Sequence, residues 1–120
     1  MSVMKDVLGE LAKVPGVGAA VVVSRDGFLM EGVTANGGGN IDMESVGAVV
    51  SASIGAAEVV GQELNVGPLA QSMIEYTNGI VVFSQLGDAA TLAVVADLKA
   101  NLGNVRYQVK KHASALAQAL

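Results

Sequence analysis

The segment from Asp42 to Asn65 constrains the fold most, because it has a helical repeat with two different faces. One face carries larger apolar side chains at helical spacing, namely Met43, Val46, Val50, Ala57, Val60 and Leu64. The other face carries mainly small ones, namely Ala48, Ser51, Ala52, Gly55, Val59 and Gln62. A surface helix normally turns a charged face to water. The pattern therefore predicts a helix that packs on both sides.

Strands are predicted before and after this helix in the chain. Val17 to Ser24 and Phe28 to Val33 are apolar runs joined by Asp26-Gly27, the signal for a two-residue hairpin turn with positive φ at both positions. From Pro68 the hydrophobic period becomes two, which is typical of strands. Three more strands are predicted, PLAQSMIEYT, GIVVFSQL and ATLAVVA, separated by Asn78-Gly79 and Gly87-Asp88.

Helical repeats occupy both ends of the chain, over about Ser2 to Lys13 and from Val105 to Leu120, the latter after a turn-rich connection, DLKANLG. A further loop, TANGGGN, lies at 34–40. We therefore predict one domain over residues 1–120, of the α+β class and the order α-β-β-α-β-β-β-α. Its five-stranded, mainly antiparallel sheet has helices on both faces.

Two arrangements would cover the small face of the middle helix. It is either buried between layers of its own subunit or packed against a second copy. The larger face already packs on the sheet, and small residues at i, i+3 and i+4 let two helix axes approach closely. We therefore favour a seam in a twofold homodimer, where close packing would offset the roughly 1 kcal/mol that each of Gly47, Gly55 and Gly61 costs a helix.

Charge and composition exclude several classes of function. The net charge is −4 and the seven basic residues are dispersed, which argues against nucleic acid or an anionic membrane as partner. The chain has no cysteine, which excludes thiolate catalysis and fits a reducing cytoplasm. Within the middle helix the longest charge-free stretch, Ser45 to Ala57, is shorter than the ~20 residues of a membrane span, so we expect no membrane insertion.

No motif predicts a cofactor, a metal or a nucleotide. Gly16-Val17-Gly18 lies between a helix and a strand, whereas a dinucleotide fingerprint needs a strand before it, a helix after it and a third glycine where Val21 stands. We interpret it as a tight helix-to-strand turn. The single histidine, His112, lies beside two lysines and is interpreted as a solvated helix position.

The carboxylate pairs and Arg25 also have ordinary interpretations. Asp42 and Glu44 lie where acidic residues favour a helix start. Glu58 and Glu63 are interpreted as part of a solvent-exposed helix face. Arg25 flanks the predicted hairpin turn. It is either an arginine finger that contacts a partner's phosphates or an ordinary solvent-exposed residue beside the turn, and the second interpretation is favoured. We therefore expect no enzymatic activity.

The stretch from Leu11 to Gly27, which ends in VPGVGAAVVVSRDG, resembles the Roadblock family, named for dynein light chains and including bacterial regulators of the MglB type. The resemblance extends over nearly the whole chain. It implies a dimer that pairs the middle helices and the third strands into one continuous sheet. The helix seam would then hold Ala48, Ser51, Ala52, Gly55, Val59 and Gln62. The strand seam would run from Leu69 to Tyr76, with Leu69, Gln71, Met73 and Glu75.

Prokaryotic members of that family resemble one another in regulating Ras-like small GTPases. The resemblance thus implies a noncatalytic dimeric regulator or adaptor that binds such a GTPase, for which we expect contacts from Glu44, Glu58, Gln62 and Arg25. The alternative is a dimeric scaffold without effect on nucleotide turnover. A small-molecule sensor is less favoured, because the aromatic and convergent polar groups of such pockets are scarce.

Overall fold

The computed structural model describes residues 3–35 and 42–120. The described elements confirm the predicted α+β class and order. They are α1 (Val3–Ala12), β1 (Val17–Ser24), β2 (Leu29–Thr34), α2 (Met43–Glu63), β3 (Gln71–Tyr76), β4 (Gly79–Leu86), β5 (Ala90–Ala96) and α3 (Leu102–Gln118).

The strands form one antiparallel sheet in the order β2-β1-β5-β4-β3, so β2 and β3 lie at its edges. The two edges differ in regularity. The β1–β2 register shifts between Val22 and Val23, which marks a bulge. The β3–β4 register runs without a shift from Gln71 opposite Ser84 to Tyr76 opposite Gly79.

The sheet separates two apolar cores. The core on the α1 and α3 side includes Leu8, Leu11, Val22, Val82, Leu92, Val105, Val109 and Leu116. The core on the α2 side is smaller and includes Val21, Val23, Val50, Ile54, Phe83 and Ala93. Burying one such aliphatic side chain stabilises the fold by about 1.5–3 kcal/mol, and the period-two pattern of β1, β4 and β5 supplies such side chains to both cores.

The α2 side of the sheet is only partly covered by helix. Adjacent strands lie about 4.8 Å apart, so five strands span roughly 20 Å. A helix with its side chains is about 10 Å wide. Because α2 is the helix on this side, part of the sheet surface beside it stays uncovered in the described structure.

The hairpin turn between β1 and β2 differs from the prediction. Gly27 has a φ of +93°, whereas Asp26 keeps a negative φ. The Gly27 N–H donates to the Ser24 carbonyl at 3.0 Å, and the Ser24 N–H donates to the Phe28 carbonyl at 2.8 Å. This is a longer hairpin loop with one glycine in the left-handed region, so β2 begins at Leu29 rather than Phe28.

The last helix begins earlier than predicted, at Leu102. The side chain of Asn101 accepts a hydrogen bond from the Asn104 N–H at 3.0 Å and caps the helix. The end of DLKANLG therefore belongs to α3. Ser2, the predicted start of the first helix, and most of the predicted glycine-rich loop lie outside the described residues.

Candidate interaction surface

The buried strip of α2 consists of Gly47, Val50 and Ile54. Val50, which belongs to the larger predicted face, packs in the α2-side core, and so does Ile54, which the prediction placed on neither face. That prediction is wrong at its C-terminal end, because Val60 and Leu64 are exposed. Val60 lies roughly 110° around the helix from the buried strip, and Leu64 is the C-cap residue beyond the last turn.

The opposite side of α2 is exposed in the described structure and is mostly apolar. Exposed residues of the predicted small face are Ala48, Ala52, Gly55, Val59 and Gln62. Val49 and Val60 enlarge this apolar surface, with exposed fractions of 65% and 56%. By length and composition alone α2 is apolar enough to cross a membrane, and much of that apolar character lies on this exposed side.

An apolar trough runs between α2 and the uncovered part of the sheet. Its volume is about 320 Å³. Small side chains of the inner strands, Ala19 and Ala93, form part of its floor, and Val49 of α2 and Tyr76 of β3 line it as well. The sequence pattern did not reveal this trough, because it depends on where α2 crosses the sheet.

The open edge of the sheet at β3 borders the trough, which Tyr76 of β3 lines. The Gln85 N–H donates to the Ala70 carbonyl at 3.1 Å, and hydrogen bonding alternates along an antiparallel strand. The backbone N–H and C=O groups of Gln71, Met73 and Glu75 therefore point away from β4. In the described part of the chain no strand pairs with that edge, so these groups are available to another strand.

The side chains of the predicted strand seam have different surroundings. Met73 and Glu75 are exposed. Gln71 is half-buried and accepts a hydrogen bond from Arg106 Nε at 3.1 Å. Leu69 packs against the α2-side core, so it contributes to the subunit's own stability.

The tip of the β1–β2 hairpin is fixed to the other flank of α2. The Ser51 hydroxyl donates to the Arg25 carbonyl at 2.7 Å. Arg25 Nη1 donates to the Asp88 carbonyl at 2.8 Å, and Nη2 lies 3.6 Å from Glu58 Oε1. A Cβ on Gly47 would lie 2.8 Å from the Gly27 carbonyl oxygen, so helix and turn are in close contact.

These contacts change the interpretation of three predicted residues. Ser51 is half-buried at the joint with the hairpin, whereas the other residues of the predicted helix seam are exposed. Arg25 and Glu58 bind each other and the adjacent turn. The guanidinium is thus held on its own chain, which disfavours the finger interpretation.

A small polar cavity of about 150 Å³ lies behind this joint. Its polar lining includes Arg25 and Glu58, which form the ion pair, together with Gln85 and Thr91. The Thr91 hydroxyl donates to Gln85 Oε1 at 2.6 Å. Arg25 and Glu58 join α2 to the two turns, whereas Gln85 and Thr91 bind each other across β4 and β5.

Asp42 and Glu44 lie at the start of α2, and their carboxylates have different surroundings. Asp42 is the N-cap: Oδ2 accepts from the Ser45 hydroxyl at 2.8 Å and Oδ1 from the Ser45 N–H at 3.3 Å. These two hydrogen bonds hold the pKa of the Asp42 carboxyl below its ordinary value. Glu44 is exposed and borders a cleft that Gly27, Phe28 and Leu29 also line.

Similarity to known sequences covers most of the chain. The Roadblock/LC7 domain model matches residues 3–96. Two uncharacterized proteins of Methanocaldococcus jannaschii are each 38% identical over 107 residues, which is 89% of this chain and 90% of theirs. A third from the same organism is 38% identical over 112 residues, or 93% and 92% of the two chains.

Solved structures show the same fold. A structure described as MglB with tetrameric arrangement has a TM-score of 0.91 at 22% identity, over 97% of this chain and 86% of that one. The gliding protein MglB of Thermus thermophilus has a TM-score of 0.91 at 21% identity, over 98% of this chain and 87% of that one. A Roadblock/LC7 domain of Streptomyces avermitilis has a TM-score of 0.84 at 20% identity, over 95% of this chain and 94% of that one.

Proposed function

This chain belongs to the Roadblock/LC7 family, and we propose that it is a noncatalytic homodimeric regulator or adaptor that binds a Ras-like small GTPase. Members of the family are generally noncatalytic regulators. One observation carries the proposal for this chain: an open, regular β3 edge lies beside an exposed apolar face of α2. Both belong to one side of the molecule, where a second copy would extend the sheet and cover the trough.

The two sheet edges differ in a way that favours β3 as the pairing edge. β2 is next to a bulge, and bulges protect an edge from pairing. β3 has an unbroken register and outward N–H and C=O groups. A twofold axis at this edge would place the α2 helices and the troughs of two copies on the same face of the extended sheet.

The arrangement of polar side chains agrees with a binding role rather than catalysis. His112 lies on α3, with Nδ1 2.8 Å from the Gln108 carbonyl oxygen of its own helix. The Arg25–Glu58 ion pair lies on the α2 side of the sheet. These groups are divided between the two faces, whereas acid–base catalysis needs them within hydrogen-bond reach of one substrate.

The mechanism we propose is selective binding of one nucleotide state, because a partner shifts a switch only through its different affinities for the two states. The test is a binding titration of a Ras-like GTPase from the same cell, loaded in turn with GDP and with a GTP analogue. We expect saturable binding that is stronger for one state. Absence of binding in both states would contradict the proposal.

The alternative is a scaffold that binds without changing nucleotide turnover. Hydrolysis and exchange rates of the GTPase, measured at saturating concentrations of this protein, separate the two. A change in either rate supports a regulator. Unchanged rates with binding intact support the scaffold.

A further inference from the structure

The hairpin tip places an aromatic ring in water at a fixed position beside α2. The side chain of Phe28 is 71% exposed, whereas the other phenylalanine, Phe83, is 5% exposed in the core. The backbone on either side of the ring is held, because the Phe28 N–H donates to the Ser24 hydroxyl at 3.0 Å and the tip is joined to α2 through Ser51. An exposed aromatic side chain on a rigid support is the usual form of an interface anchor.

A carboxylate shares the cleft with this ring. Glu44 and Phe28 both line it, together with Gly27 and Leu29. Asp42 is close in sequence, but its two oxygens accept hydrogen bonds from Ser45. Glu44 is the carboxylate that lines the cleft itself.

The side of the molecule that holds the cleft carries mostly acidic residues. α2 with its N-cap and the two turns beside it carries one basic residue, Arg25, which is paired with Glu58. The acidic residues of the same region are Asp26, Asp42, Glu44, Glu58, Glu63 and Asp88. A basic group of a partner would therefore be attracted to this region, because its charge is opposite.

We propose that the Phe28–Glu44 cleft receives an arginine side chain of a protein partner. The face of an aromatic ring attracts a cation, and a carboxylate accepts the paired N–H groups of a guanidinium. Arginine fits both at once, because its planar group stacks on a ring while its edge donates to the carboxylate. The identity of the partner as a GTPase rests on the proposed function, whereas the chemistry of the cleft does not.

The first experiment tests the cleft without a partner. N-acetyl-arginine amide is titrated into the protein and followed by NMR, with N-acetyl-citrulline amide as the neutral isostere. We expect saturable shifts at the Phe28 ring and the Glu44 amide, weaker in high salt, with the buried Phe83 ring as internal reference. Shifts that are absent, or equal with citrulline, would overturn the proposal.

Matched variants assign the effect to the two side chains. Phe28→Ala and Glu44→Gln should each weaken binding of the arginine probe by about two- to fivefold, the range of an exposed cation–π contact and of an exposed ion pair. The controls are Tyr107→Ala, an exposed aromatic residue on α3, and Glu63→Gln, an exposed glutamate at the far end of α2. Equal losses in the controls and the test variants would overturn the proposal.

The second experiment uses the GTPase that binds the wild-type protein. Phe28→Ala and Glu44→Gln should weaken that binding, and the double variant should lose less than the product of the single losses, since both side chains contact one arginine. A GTPase bound equally by wild type and both variants would overturn the proposal. If no GTPase binds wild type, the proposed function fails, and the arginine titration alone decides the cleft.

Discussion

The Ser51 hydroxyl donates a 2.7 Å hydrogen bond to the backbone carbonyl of Arg25, 26 positions earlier in the chain. This contact joins the middle of α2 to the tip of the β1–β2 hairpin. The ion pair of Arg25 with Glu58 and the close approach of Gly47 to Gly27 lie at the same joint. Hairpin tip and helix therefore form one rigid surface.

Ser51→Ala removes this hydrogen bond and should lower the free energy of unfolding by about 1 kcal/mol. The control is Ser53→Ala, at an exposed position of the same helix, which gives the same gain in helix propensity. Chemical denaturation of both variants measures the difference. Equal stabilities would show that the Ser51 contact contributes nothing.

Gly47→Ala should destabilise the fold, because the new Cβ would meet the Gly27 carbonyl oxygen at 2.8 Å. Crowding of this kind costs about 1–3 kcal/mol, against a gain of about 1 kcal/mol in helix propensity. Gly9→Ala in α1 is the matched control, since its Cβ meets nothing within 4 Å. Thermal unfolding should show a lower Tm for the first variant and a higher one for the second, and a rise in both would contradict the close contact.

The lowered pKa of Asp42 predicts that the protein loses stability in acid. Hydrogen bonds from Ser45 lower the pKa of the folded carboxyl below the ordinary value of 3.8. A lowered folded pKa contributes stability above pH 3.8 that is lost as the pH falls through the folded pKa. Asp42→Ala should therefore be less stable than wild type near neutral pH, and the gap should shrink below pH 3.8. A gap that stays constant during acid titration would show that the carboxylate does not act as the cap.

Met73→Pro tests the β3 edge. The Met73 N–H points away from β4, so proline there removes a group that only a second strand would use. We expect the folded subunit to remain and the dissociation constant of the dimer to rise by about tenfold or more. Ile74→Pro is the contrast, because its N–H faces β4 and its loss should lower subunit stability. Analytical ultracentrifugation and thermal unfolding separate the two effects, and an unchanged dimer in Met73→Pro would exclude pairing through this edge.

Local sequence pattern was sufficient for most of the fold. The period-two runs predicted β4 and β5 with the bounds that the structure has. The exposed small face of α2 also followed from helical spacing, apart from Ser51. These features depend on neighbours within a few residues, where propensity and periodicity are informative.

The remaining features depend on contacts between distant parts of the chain. Val60 belongs to the predicted larger face, but the strip that α2 buries is set by its crossing angle and by the Gly27–Gly47 contact, and Val60 lies outside that strip. Asp26-Gly27 has the sequence of a two-residue turn, yet the tip adopts the longer loop that brings Arg25 to Ser51 and Asp88. No local pattern reveals the trough or the Phe28–Glu44 cleft.

The solution mass tests the central claim, that the α2 face and the β3 edge bind a second copy. Size-exclusion chromatography with light scattering at micromolar concentration should give twice the 12.1 kDa of one chain for wild type. Ala52→Glu, which places a charge on the exposed α2 face, should give 12.1 kDa, while Ala115→Glu on the exposed side of α3 should stay dimeric. A wild-type mass of 12.1 kDa at every concentration would contradict the account.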